Sequence, residues 1–313
     1  MKKGIANYGV GENFQGFLLV KKVQKGIARN NNEFLTLTLG DKSGDIESKV
    51  WDNVEQALAY YPVESIVEVQ GVITEFQGKK QLNSNFMRAV TEDEHVTVAD
   101  LLQSAPVSGN DLLEKVYEVI NTDIQNDKIK AITKDVVQKF EGDFKVYPAA
   151  SKNHHAYVSG LAYHTVGMLR IAESFCSIYP ELNKDLLFAG VILHDVGKIR
   201  EYERIVNTEY SFEGKLLGHI SMISEEIGMS AQSLGIIGEE VTLLQHLVLS
   251  HHGKLEWGSP VQPIIMEAEI LHLIDMVDAK MDTLRTALRD VQPGSFTERL
   301  YSMGNRSFYK PSI

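Results

Sequence analysis

The feature that most constrains this chain is a change in its hydrophobic period. Up to about residue 90, apolar residues alternate with polar ones, as in Phe34 to Leu39 (FLTLTL) and Ser65 to Thr74 (SIVEVQGVIT). From Asp111 onward they recur at helical spacing, first in DLLEKVYEVINTDI with Leu112, Val116, Val119 and Ile120 on one face. The two periods predict two separate cores, and 313 residues are enough to fill both. Charge is divided along the same line. The net charge is −11, yet residues 1–90 hold 11 Lys/Arg against 10 Asp/Glu, so the other 223 residues carry −12. A protein that coats nucleic acid by bulk electrostatics is therefore excluded, while a near-neutral module beside an acidic body suggests separate tasks. The sequence has no run of about 18 apolar residues, so a membrane span is not expected. The single cysteine, Cys176, excludes an internal disulfide, reads as a core thiol, and fits the cytoplasm.

Within residues 1–92 the patterning predicts five strands. Phe17 to Val20 is a short apolar run, FLTLTL follows, and Ile46 to Trp51 resumes after the turn residues Asp41 to Asp45. Ser65 to Thr74 carries Gly71 as an expected bulge, and Gln81 to Val90 returns after the turn Phe76 to Lys79. DNVEQALAYY supplies one short helix between the third and fourth strands. That order predicts a five-stranded OB-type barrel. Residues 93–150 read as linker and helical lead-in, 151–290 as an all-α domain with helical stretches near 161–178, 185–194, 214–229, 237–252 and 263–289, and 291–313 as a tail.

Eight of the ten histidines lie between 154 and 252, most at helix ends or junctions. His164, the His194-Asp195 pair, His219 and His251-His252 sit on separate predicted helices, followed by Asp275 and Asp278 on the last long one. A lone His-Asp pair proves little, since a single buried histidine is more often a hydrogen-bonded core residue. Five or six imidazoles with aspartates on converging helices point instead to Mn²⁺, Fe, Co²⁺, Ni²⁺ or Zn²⁺. Asp195 has two oxygens and can bridge two cations, which can share a water, hold it as hydroxide near neutral pH, and grip the oxygens of a phosphoryl group.

Residues 160–198, GLAYHTVGMLRIAESFCSIYPELNKDLLFAGVILHDVGK, resemble the core of the HD superfamily of metal-dependent phosphohydrolases. The resemblance implies His164, His194, Asp195 and a late aspartate as metal ligands, with Asp275 the best match and Asp278, three residues on, the runner-up. His219, His251 and His252 resemble the subgroup that holds two metals. That implies His164, His194, Asp195 and Asp275 on one ion, and Asp195, His219, His251 and His252 on the other. It also raises Lys198 from a solvated helix end to a cation facing the scissile phosphate. Lys152, His154 and His155 are substrate-contact candidates that read equally well as loop or capping residues. His246 reads as structural, and His272 is left open.

An OB-type barrel commonly grips single strands with aromatic platforms and basic loops. Phe14, Phe17, Phe34, Trp51 and Phe76 are the candidate platforms, with Phe17 and Phe34 also expected to fill the barrel. Lys21, Lys22 and Lys25 on one hairpin, with Lys79 and Lys80 on another, suggest a basic rim, and Arg29 and Arg88 are further candidates. Barrel and helical domain in this order, with Phe144 to Thr165 matching FxxxPAAxxxHHxxxxGLxxHT, resemble the YhaM family of bacterial 3′→5′ exoribonucleases. The resemblance implies Mn²⁺-dependent removal of nucleotides from the 3′ end of single-stranded RNA, and of single-stranded DNA. It leaves assembly into a homo-oligomer open. Two other classes are weighed. One is a nucleotide or cyclic-dinucleotide phosphohydrolase, disfavoured because GKLEWGSP follows His251-His252 without a G-Y-P signature. The other is a non-catalytic RNA-binding regulator with a structural metal.

Overall fold

A computed structural model describes residues 3–28, 31–150, 155–206, 209–289 and 291–313. Lys152, His154 and Arg29 lie outside the described residues. The chain forms two compact units, 1–104 and 105–313.

The first unit is a closed five-stranded barrel. Its strands are β1 (Asn13–Ile27), β2 (Glu33–Asp41), β3 (Gly44–Val50), β4 (Ile66–Phe76) and β5 (Lys79–Ala89), with helix α1 (Val54–Tyr60) between β3 and β4. The order around the barrel is β1-β2-β3-β5-β4. β1 is long enough to serve two neighbours: its first half pairs with β4 and its second with β2, across a register shift between Val20 and Lys22. The short parallel pairing of Glu47 and Ser48 with Gln81 and Leu82 closes the wall. Alternation sorts the side chains as expected: Leu35, Leu37 and Leu39 are fully buried with Leu18, Val20, Val67, Val69 and Ile73. The register of β4 and β5 shifts between Gln70 and Gly71, where the bulge was expected. Phe14 is buried in the barrel, whereas Phe17 and Phe34, expected to fill it, are only half-buried, Phe34 lying against Trp51 at the surface.

The second unit is helical. After the short α2 (Val98–Leu101) of the first unit come α3 (Gly109–Thr122), α4 (Asp127–Phe144), α5 (Gly160–Ile178), α6 (Lys184–Leu193), α7 (Lys198–Glu201), α8 (Phe212–Ser233), α9 (Glu239–Ser250) and α10 (Met266–Arg289). Side-chain caps fix several starts: Ser108, Asn126, Asn183 and Ser211 each accept from backbone N–H groups of the following first turn. Every residue of α6 from Leu186 to Leu193 is buried, which its continuous apolar run demands, and α6 is the central element. Its C-terminal end therefore opens into the interior. The segment read as a tail is folded back on itself: Phe296 bridges Tyr309 and Leu300 bridges Arg306 in antiparallel fashion.

Candidate metal centre

Helix α6 stops at Leu193, and His194 and Asp195 begin a tight turn that leads into α7 at Lys198. Gly197 makes this turn fit. A Cβ there would meet the carbonyl oxygen of His219 at 2.2 Å, so only glycine lets α8 close on the His-Asp turn. α8 itself breaks helical geometry at Gly218, with φ 71° and ψ 154°, just before His219. His164 comes from α5, His251 caps α9, His252 follows it, and Asp275 comes from α10.

These side chains converge. Asp195 Oδ2 lies 3.3 Å from His194 Nε2 and 3.9 Å from His164 Nε2, and His164 Nε2 lies 3.3 Å from Asp275 Oδ1. Asp195 Oδ1 faces the other way, 3.6 Å from His219 Nε2 and 3.8 Å from His251 Nε2. Donor atoms of His164, His194 and Asp195 form one compact group, and those of His219, His251 and His252 form another. Two donors bound at about 2.0–2.2 Å to one cation lie roughly 3–4 Å apart, depending on the angle at the metal, so the observed separations of 3.3–3.9 Å suit shared coordination.

The tautomers argue the same way. His194 Nδ1 donates to the carbonyl of Val191 at 2.9 Å, His251 Nδ1 to Val248 at 2.7 Å, and His252 Nδ1 to Trp257 at 2.8 Å. A carbonyl only accepts, so the proton is on Nδ1 and Nε2 of a neutral ring keeps its lone pair. Among the described residues the buried Nε2 atoms of His194, His219 and His251 have no hydrogen-bond partner. Buried polar atoms normally do, and a divalent cation is the partner that several convergent imidazole lone pairs fit.

Charge around the centre follows from its neighbours. Burial would raise the Asp195 carboxyl, but Lys198 and His194 hold it well below the usual carboxylate range. Lys198 Nζ donates to Asp195 Oδ2 at 2.7 Å, and its ammonium is held up by that carboxylate against the burial that would lower it. Burial pushes the His251 ring well below its ordinary value, so it stays neutral. His164 is opposite: Asp275 and Asp278 outweigh burial and raise it to about 10, so a cation bound there would take the place of the Nε2 proton.

The remaining candidates divide. Asp278 Oδ2 accepts from His164 Nδ1 and from His155 Nε2, each at 2.7 Å, separations that are hydrogen bonds and too short for two donors on one cation. His155 is 2% exposed, its Nδ1 is 2.8 Å from the Tyr157 hydroxyl, and its backbone N–H donates to Asp282. This ring, read as either a substrate contact or a loop or capping residue, is engaged behind His164. His246 Nε2 accepts from the N–H of Ile264, a structural bond, and His272 Nδ1 donates to the carbonyl of His251. Sequence reading missed Glu201. Its Oε1 accepts from both the backbone N–H and Nδ1 of His219, at 2.9 and 3.0 Å, and His219 keeps its carboxyl low against burial.

On the barrel, Trp51 is 52% exposed and its ring lies 4.8 Å from that of Phe34. Lys49, another residue missed, places Nζ 4.9 Å from the Phe34 ring and 5.7 Å from those of Trp51 and Phe76. Together with Thr74, Gln81 and Asn83, Lys49, Trp51 and Phe76 line a cleft of about 340 Å³. The expected rim is partly neutralised: Lys21 pairs with Asp45, Lys25 with Glu33 and Glu55, and Lys80 donates to the carbonyl of Tyr8. Among the described residues Lys22 and Lys79 are exposed and carry no ion pair.

Comparison with known proteins agrees with both units. A family model described as an OB-fold nucleic acid binding domain matches residues 16–90, and one described as an HD domain matches 161–280. A protein of Geobacillus sp. (strain WCH70) named "3'-5' exoribonuclease YhaM" is 52% identical over 311 residues, covering 99% of this chain and 96% of its own length. This chain belongs to the YhaM family. Family members so named in Oceanobacillus iheyensis and Bacillus subtilis (strain 168) are 50% and 49% identical over 313 residues, all of this chain and 98% and 99% of theirs. Among the described residues no helix is long and apolar enough to cross a membrane.

Proposed function

We propose that this chain is a metal-dependent 3′→5′ exoribonuclease that hydrolyses single-stranded RNA, and single-stranded DNA, to nucleoside 5′-monophosphates. The observation that carries the chemistry is Asp195, whose two oxygens face two different sets of imidazole Nε2 atoms. His164, His194, Asp195 and Asp275 would hold one divalent cation, and Asp195, His219, His251 and His252 a second. Mixed imidazole and carboxylate donors suit Mn²⁺, Co²⁺, Fe or Ni²⁺, and the choice of Mn²⁺ among them follows the family resemblance. Such cations, when bound, supply a water of lowered pKa and neutralise charge on the phosphate.

The protein's own contribution is order. The Nδ1 bonds of His194, His251 and His252 fix their rings before any ligand arrives, and Glu201 and Asp278 do the same for His219 and His164. Lys198 keeps a positive charge beside Asp195 Oδ2, where it can face the scissile phosphate or its leaving oxygen. The Phe34, Trp51, Phe76 and Lys49 cluster offers base-stacking faces and a cation, which suits a polymeric single strand better than a free nucleotide. The 3′ direction rests on the named relatives. RNA turnover and a single cysteine fit the cytoplasm. Digestion of 5′-labelled RNA with Mn²⁺ should give a ladder shortened one nucleotide at a time, and Asp195→Ala should abolish it. Undiminished digestion by Asp195→Ala would sink the proposal.

A further inference from the structure

In the loop between α9 and α10, Trp257 joins the metal centre to an exposed aromatic face. Trp257 closes a 3-10 turn (Leu255–Trp257), and its backbone carbonyl is the acceptor that orients His252. Its indole is nevertheless 50% exposed. The turn is pinned from beneath. Gly253 has φ +80°, and a Cβ there would sit 2.5 Å from the His272 ring, so the chain passes directly over that imidazole. His272 in turn donates to the carbonyl of His251, and its ring lies 5.9 Å from the indole. Lys254 Nζ stands 4.5 Å from the indole centroid. A large aromatic surface held open to solvent, one carbonyl away from a metal-binding imidazole and carrying an ammonium, suits a ligand with both a π face and negative charge.

On the reading of the centre given above, we infer that Trp257 and Lys254 form the subsite for the 3′-terminal nucleotide, the indole stacking on its base and the ammonium meeting its phosphate. The subsite is sequence-tolerant, because every base has a π face. It is a substrate-binding element separate from the barrel platform, engaging the residue about to be released.

The chain has two tryptophans, Trp51 and Trp257, so Trp51→Phe holoprotein reports on Trp257 alone. Adenosine 5′-monophosphate should quench its fluorescence saturably, and ribose 5-phosphate, which lacks the base, should not. On 5′-labelled RNA, Trp257→Ala should raise KM roughly 5- to 150-fold, the range that one base–aromatic stack gives. Its metal content should stay that of the wild type, since the carbonyl that holds His252 is retained, and Trp257→Phe should recover most of the loss. Equal quenching by the two phosphates, or a Trp257→Ala protein that loses metal or kcat with KM unchanged, would overturn the inference. If the wild type leaves RNA intact while the base-dependent quenching is seen, the exonuclease reading fails and the nucleotide subsite stands.

Discussion

Replacing Asp278 by asparagine separates the two aspartates of α10. Asp278 Oδ2 accepts from His164 Nδ1 and His155 Nε2 at 2.7 Å each, and its carboxyl is held low by those partners against burial. Hydrogen bonds to a charged acceptor are worth about 1.5–3 kcal/mol, against about 0.5–1.5 for neutral ones, so losing the charge at two bonds costs about 2–3 kcal/mol. Only the share acting through His164 reaches the cation. Loss of such a partner to a metal-bound histidine typically weakens metal binding about 10- to 100-fold, or about 1.4–2.7 kcal/mol. Asp278→Asn should therefore bind Mn²⁺ about 10- to 100-fold more weakly in competition with a chelator, with far-ultraviolet circular dichroism unchanged. Asp275→Asn, which removes a donor 3.3 Å from His164 Nε2, should lose more. An Asp278→Asn protein within twofold of wild-type affinity would refute the positioning role. One weaker than Asp275→Asn would mean that Asp278, not Asp275, is the ligand.

Other perturbations test other parts. Gly197→Ala pushes a methyl onto the His219 carbonyl, so it should cost about 1–3 kcal/mol of stability by thermal melting and lower metal content. Glu201→Gln loosens His219 and should reduce bound metal, measured by elemental analysis, from two ions towards one. Lys49→Met in the Asp195→Ala background should weaken RNA binding by fluorescence anisotropy and lower the salt slope by about 0.7, the share of one cation on a single strand. In the barrel unit, the Arg88 guanidinium and the Thr91 N–H lower the Glu94 carboxyl from 4.5 to about 2. Its stabilising contribution is complete above pH 4.5 and is lost as pH falls to about 2. Carboxyl NMR titration should show the depressed value, and Arg88→Ala should return it towards 4.5.

What could be read from the sequence follows from which contacts are local. FLTLTL set Leu35, Leu37 and Leu39 inside because a strand alternates by itself, and the α6 run had to be buried because it has no polar face. The choice between Asp275 and Asp278 was not local. Both lie on nearly one face of α10, and the rotation of that helix against α5 decides which meets Nε2 of His164 and which meets Nδ1. Glu201 was invisible for a similar reason: it reaches His219, eighteen residues away, only because Gly197 lets α8 close on the turn before α7. The lysines of the barrel looked free because Asp45, Glu33 and Glu55 become their partners only across strands and α1. His155 looked like a loop residue because its acceptor, Asp278, is 123 positions away.

The histidine tautomers, by contrast, were written in the chain at short range. His194 and His251 each stand one residue past the end of a helix, and each sends Nδ1–H back to the carbonyl three residues earlier, Val191 or Val248. Those carbonyls belong to the last turn, whose acceptors lack intrahelical donors. A histidine placed there satisfies one of them and in doing so must present a bare Nε2 beyond the helix end. Two such helix ends meet, 5.1 Å between the His194 and His251 rings, and set two bare Nε2 atoms against the two oxygens of Asp195. For these two residues, position at the helix end fixes the tautomer, whereas His164 and His219, which lie within α5 and α8, take theirs from Asp278 and Glu201. His246, mid-way along α9, is the internal control: its Nε2 accepts from the Ile264 N–H, and it plays no part in the centre.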